Sequence, residues 1–143
     1  MNWSILSIGL ITLLGFVDKE QHNIKCRSLS INIDYKKGMF FVESDEVENF
    51  LTNKIGRLTD QKLVKLNIYE LEHLLENNPF IANAEVYSSI QGDIKIDITQ
   101  RMPIIRIIDK YNNSFYIDNQ GFKMPLSNKY TSRTLIATGN IQY

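Results

Sequence analysis

The sequence predicts an α+β protein: an N-terminal transmembrane helix, a strand–helix–helix–strand–strand unit, and a β-rich segment that the chain leaves incomplete. Three observations carry this expectation. Met1 to Val17 contains no charged side chain. Apolar and polar residues alternate strictly in three later stretches, as they do in half-buried strands. Between the first and second of these stretches, apolar residues recur at helical spacing in two places.

The N-terminal run, residues 1–17, is dominated by Trp3, Ile5, Leu6, Ile8, Leu10, Ile11, Leu13, Leu14, Phe16 and Val17. As a helix it would be about 25 Å long, the short end of what spans a hydrocarbon core of about 30 Å. A cleaved secretory signal and a buried core helix are the competing readings. The signal fits less well, because no basic stretch precedes the run and Gly15-Phe16-Val17-Asp18-Lys19 is a poor cleavage site. Residues 18–27 are polar and charged without apolar period and read as a juxtamembrane linker. Cys26, in that linker, reads as a small buried or membrane-proximal side chain.

The folded unit is expected over residues 28–102. Leu29, Ile31, Ile33 and Tyr35 face one side of a strand, with Ser28, Ser30, Asn32 and Asp34 on the other. Ser44 is placed to cap a helix whose first turn holds Asp45 and Glu46, where the helix dipole favours negative charge. Val47, Phe50, Leu51 and Ile55 form its stripe, and Gly56 can close it. In a second helix Asn67 caps, Glu70 takes the capping-box position, and Leu71, Leu74 and Leu75 form the buried stripe until Asn77-Asn78-Pro79. Two strands follow, Ala82, Ala84 and Val86 alternating with Asn83, Glu85 and Tyr87, then Ile94, Ile96 and Ile98 alternating with Lys95, Asp97 and Thr99. The turn-like Ser88–Asp93 between them predicts an antiparallel hairpin. A one-faced sheet of this kind buries its apolar side under the two helices.

From residue 103 to 143 the character is β-rich, with strands over Ile104–Ile108, Phe115–Ile117 and Thr134–Thr138. So few short strands make a small sheet, marginal alone.

Several function classes are excluded by composition. Sixteen basic and sixteen acidic side chains cancel, so there is no surplus of positive charge for nucleic acid. His22, His73 and Cys26 supply no nucleophile–base–orienter set, and no phosphate-cradling glycine loop is present. No catalytic residue, metal ligand or cofactor is expected. His73, among Glu70, Glu72 and Glu76, reads as a solvated helix residue.

The element order is similar to that of the polypeptide-transport-associated (POTRA) domain. Leu66-Asn67-Ile68 through Leu71 and Leu75, then Asn78-Pro79-Phe80-Ile81-Ala82-Asn83-Ala84-Glu85-Val86, resembles the leucine helix, proline loop and apolar strand of the FtsQ/DivIB cell-division family. Ile94 to Ile104, with Gln100-Arg101-Met102-Pro103, resembles its strand running into an amide or acidic residue, Arg, any residue and Pro. Tyr116-Ile117-Asp118-Asn119-Gln120-Gly121 is similar to its aromatic, apolar, Asp, two residues, Gly hairpin. Pro79, Arg101, Pro103, Tyr116, Asp118 and Gly121 are therefore expected as structural motif residues.

The resemblance implies a non-enzymatic, single-pass scaffold of the division machinery, with its folded part outside the cytoplasmic membrane. It implies partners of the FtsB and FtsL type, bound by the far end of the β-domain. Relatives continue beyond the point at which this chain stops, so that contact is expected to be weakened. A POTRA module of an outer-membrane assembly or secretion machine is the alternative. The sheet's unpaired edge is expected on the strand from Ala82 to Tyr87, making Asn83, Glu85 and Tyr87 candidate partner-binding residues.

Overall fold

The structure, a computed structural model, describes residues 24–35 and 38–141. Strand β1 (Ser28–Asp34) leads into helix α1 (Ser44–Ile55), two 3-10 turns (Leu58–Asp60 and Leu63–Lys65) and helix α2 (Ile68–Glu76). Strands β2 (Ile81–Ser88), β3 (Asp93–Gln100), β4 (Pro103–Asp109), β5 (Ser114–Asp118), β6 (Lys123–Pro125) and β7 (Leu135–Gly139) follow.

The expected fold class is corrected on its first element. The described residues form an α+β fold in which no helix is long and apolar enough to cross a membrane. Helix α1, the longest among the described residues, has 12 residues, where a span needs about 20 apolar ones. It is also amphipathic, burying Val47 and Leu51 while carrying Asp45, Glu46 and Lys54. The predicted transmembrane segment, 1–17, lies outside the described residues.

Residues 24–27, the end of the expected linker, are hydrogen-bonded to the folded unit. Cys26 is buried and its N–H donates to the Gln61 carbonyl at 3.0 Å, while Leu63 N donates to Ile24 O at 2.9 Å. Arg27 N donates to Gly92 O at 2.8 Å. These bonds close the chain's entry against the 3-10 turns and the β2–β3 turn.

The first sheet has the order β1-β3-β2, with β3 parallel to β1 and antiparallel to β2. The central strand sends Ile94, Ile96 and Ile98 inward, all nearly inaccessible, as period-2 alternation requires. Leu51 of α1 and Leu71 and Leu75 of α2 close the core from the helix side. Leu74 is only partly buried. Helix α1 starts one residue earlier than the Ser44 cap predicts, with Glu43 as N-cap and the Glu46 carboxylate accepting from Glu43 N. Helix α2 is capped by Asn67, whose side chain accepts from Glu70 N.

The second sheet is four-stranded, ordered β6-β5-β4-β7, with β7 parallel to β4 and the other pairs antiparallel. Pro103 opens β4, a first position where its missing N–H leaves no gap in the ladder. Phe41 joins the layers, stacking on Phe80 and meeting Tyr116 and Tyr130 edge-on.

Candidate functional site

Strand β2 is an edge of its sheet: β3 lies on one side, and no strand pairs with the other among the described residues. Ala84 and Val86 face the core, and Asn83, Glu85 and Tyr87 stand exposed on the opposite face. A register shift between Ile81 and Asn83 sets this phase. The extra residue lets Ile81 and Ala84, three apart, both point inward.

The exposed row is itself a small network. The Glu85 carboxylate accepts from Asn83 Nδ2 at 3.2 Å and from the Tyr87 hydroxyl. The hydrogen bond to that carboxylate, which requires the phenol's proton, holds Tyr87 above its ordinary value, and the negative charge of Glu85 adds to the effect. On the neighbouring strand Lys95 and Asp97 pair at 2.8 Å, with Asn32 Nδ2 also donating to Asp97. These bonds, Lys95 first, lower the Asp97 carboxyl below its ordinary value. The face is polar, ordered and open to solvent.

The edge carries a second feature. Val86 N donates to Glu72 Oε1 at 2.8 Å, and Ala84 N reaches Glu76 Oε1 at 3.4 Å. Both N–H groups therefore point away from β3, toward α2. By strand alternation Asn83, Glu85 and Tyr87 turn theirs into the ladder.

The remaining predicted residues sit elsewhere, mostly at the junction of the two sheets. Arg101 Nη1 pairs with Asp118 Oδ2 at 3.0 Å, with the carboxylate buried, and its guanidinium lies 4.3 Å over the Phe122 ring. Asp118 Oδ1 accepts from Gln120 N and Phe122 N, closing the turn in which Gly121 has φ +87°. Pro103 pairs with Asp118 across the β4–β5 ladder, and Asn119 N donates to Met102 O. Tyr116 is buried against Phe41. Pro79 lies apart, exposed in the turn before Phe80.

Gln100 was absent from the predicted set. Its side chain accepts from Phe41 N and Val42 N at 2.8 and 3.1 Å, and donates to Met39 O and Asp34 O at 3.1 and 3.3 Å. The signal was available: Gln100 continues the inward parity of Ile94, Ile96 and Ile98. An amide on a core-facing position needs partners of its own.

A cleft of about 520 Å³ lies between Phe41, Leu75 and Phe80 on one side and Pro125 to Lys129 on the other. Its charged rim is Lys129 held by Glu46 at 2.7 Å, a pair that spans the two layers. Among the described residues no three His, Cys, Asp or Glu side chains gather as a metal site. His22 lies outside them.

Comparison with family models gives two adjoining matches. Residues 24–99, more than half the chain, match the POTRA-like domain. Residues 102–143 match the model described as FtsQ/DivIB, C-terminal related. The chain belongs to the POTRA-like family and is of FtsQ/DivIB type. No curated protein matches it. In this FtsQ/DivIB-type chain the matched segments are joined by Gln100-Arg101, and the Arg101–Asp118 pair holds that joint against the second segment. Domains of both families are non-catalytic scaffold domains, and FtsQ/DivIB-like domains imply protein–protein interactions in division.

Proposed function

We propose that this protein is a non-enzymatic scaffold of the bacterial division machinery, acting at the division-site membrane and outside the cytoplasm. It would recruit other division proteins, those of the FtsB and FtsL type among them, through its POTRA-like unit and its second sheet. The single observation that carries the reading is the succession of two matches in one chain, a POTRA-like domain and then an FtsQ/DivIB C-terminal related segment.

Strand β2 is the contact surface we assign within the POTRA-like unit. It is an edge on which no further strand pairs among the described residues, with an exposed row of Asn83, Glu85 and Tyr87 beside it. A partner segment lying along such an edge draws affinity from main-chain bonds and specificity from alternate side chains. Replacing all three residues by alanine leaves the core untouched, because none of them is buried. In a pull-down from a native membrane extract, the triple variant is expected to capture division proteins roughly fivefold less than wild type. Equal capture by a variant with a native circular dichroism spectrum would refute the assignment of this surface.

A further inference from the structure

The outer edge of β2 is already occupied by the protein's own carboxylates. Glu72 takes the N–H of Val86, and Glu76 takes that of Ala84. The geometry explains why two glutamates serve two alternate strand residues. Side chains four apart on a helix are about 6 Å apart along its axis, and alternate residues on a strand about 6.7 Å. One turn of α2 therefore matches one repeat of β2.

Among the described residues no lysine or arginine is ion-paired with Glu72 or Glu76, and His73 Nδ1 lies 3.7 Å from Glu76 Oε2. Both side chains are partly open to solvent. Glu85 adds a further negative group on the exposed face of β2.

We propose that Glu72 and Glu76 form a displaceable plug on the β2 edge, which admits an extended partner segment carrying basic side chains at alternate positions. The inference rests on β2 being the recruitment surface. To pair with β2, carbonyls of an incoming strand must take over the N–H groups of Ala84 and Val86. The two glutamates are then left without their donors. Lysines or arginines two apart on the incoming strand supply charge-assisted replacements at the matching repeat. An acidic segment instead adds like charges to two displaced carboxylates, so the plug selects against it.

The test uses the full chain, labelled with ¹⁵N, and two blocked peptides of equal length, one alternating valine with lysine and one alternating valine with glutamate. For the wild type, the lysine peptide is expected to shift the Ala84 and Val86 amide signals and to bind roughly tenfold tighter than the glutamate peptide. In Glu72→Gln/Glu76→Gln, which retains acceptors but not charge, that preference falls to about twofold or less. In Glu72→Ala/Glu76→Ala, hydrogen exchange at Ala84 and Val86 is expected to accelerate roughly tenfold, with the ladder amide of Glu85 unchanged. Both peptides should then bind more tightly than to wild type.

Unchanged exchange at Ala84 and Val86 in the alanine pair overturns the plug. So does a preference for lysine that survives the glutamine pair. In either case peptide-induced shifts along β2 would leave the recruitment edge standing. If no peptide shifts β2 in any of the three proteins, the recruitment edge itself fails, and the selective plug with it.

Discussion

Replacing Gln100 by leucine is expected to destabilise the fold by about 3 kcal/mol, without altering any exposed surface. The side chain makes four hydrogen bonds, two as acceptor from Phe41 N and Val42 N and two as donor to Met39 O and Asp34 O. At about 1 kcal/mol net for each bond, losing all four costs about 4 kcal/mol. Leucine at a position only 4% exposed returns about 1 to 2 kcal/mol through its added apolar burial. Stranded N–H groups at Phe41 and Val42, both buried, push the balance back toward destabilisation. Urea unfolding of the full chain, followed by circular dichroism, reads the loss directly. Hydrogen exchange locates it, with the Phe41 and Val42 amides expected to exchange at least roughly tenfold faster while β2 amides keep their relative order. A loss below about 0.5 kcal/mol would refute the reasoning, showing that water or a shifted loop satisfies these groups as well as the amide does.

The other expectations concern the first unit. Leu75→Ala, at a fully buried position, should cost about 2 to 5 kcal/mol in urea unfolding, and Leu74→Ala, only partly buried, about 1 kcal/mol. Equal losses would mean that the α2 face is misassigned. Gly92→Ala should cost about 2 to 3 kcal/mol, because φ is +99° there and an added Cβ would sit 2.5 Å from the Lys25 carbonyl oxygen; an unchanged melting curve would contradict that close approach. Burial, and after it the charge of Asp93, push the Cys26 thiol up from its ordinary value. Alkylation of native protein near neutral pH should therefore run roughly a hundredfold slower than in urea. Fast native labelling would place the thiol at the surface.

Much of the first sheet could be read from side-chain chemistry, because burial of one face imposes a visible period. Ile94, Ile96 and Ile98 alternate with Lys95, Asp97 and Thr99, and the alternation alone assigns inside and outside. Phe41 and Val42 could not be found this way. They reach the core from an irregular segment, where packing follows no period. Strand β6 was missed for a related reason: it has three residues, and Met124 is its one buried side chain. On β2 the period was legible, and so was the exposed row, yet the direction of the N–H groups was the more consequential fact. A proline at Glu85 would break the ladder to β3, since the donors at the open edge belong to Ala84 and Val86, whose side chains face the core. Their occupation by Glu72 and Glu76 depends on how α2 crosses β2, a tertiary relation that neither element contains alone.

The junction at Arg101 has a mechanical consequence. Only Arg101 and Met102 separate β3 from β4, and the Arg101–Asp118 pair, the Asn119–Met102 bond and the Phe41 aromatic cluster all bridge the same short stretch. A flexible tether would absorb a tug as slack. This joint behaves as a weld, so a load applied along β4 or β7 passes into β3, the central strand of the first sheet. Tension is then shared across two hydrogen-bonded ladders on either side of β3, in shear, before any segment can unravel from its end. Such a layout couples the two sheets, so that a displacement of one is handed to the other through the two residues that join β3 to β4.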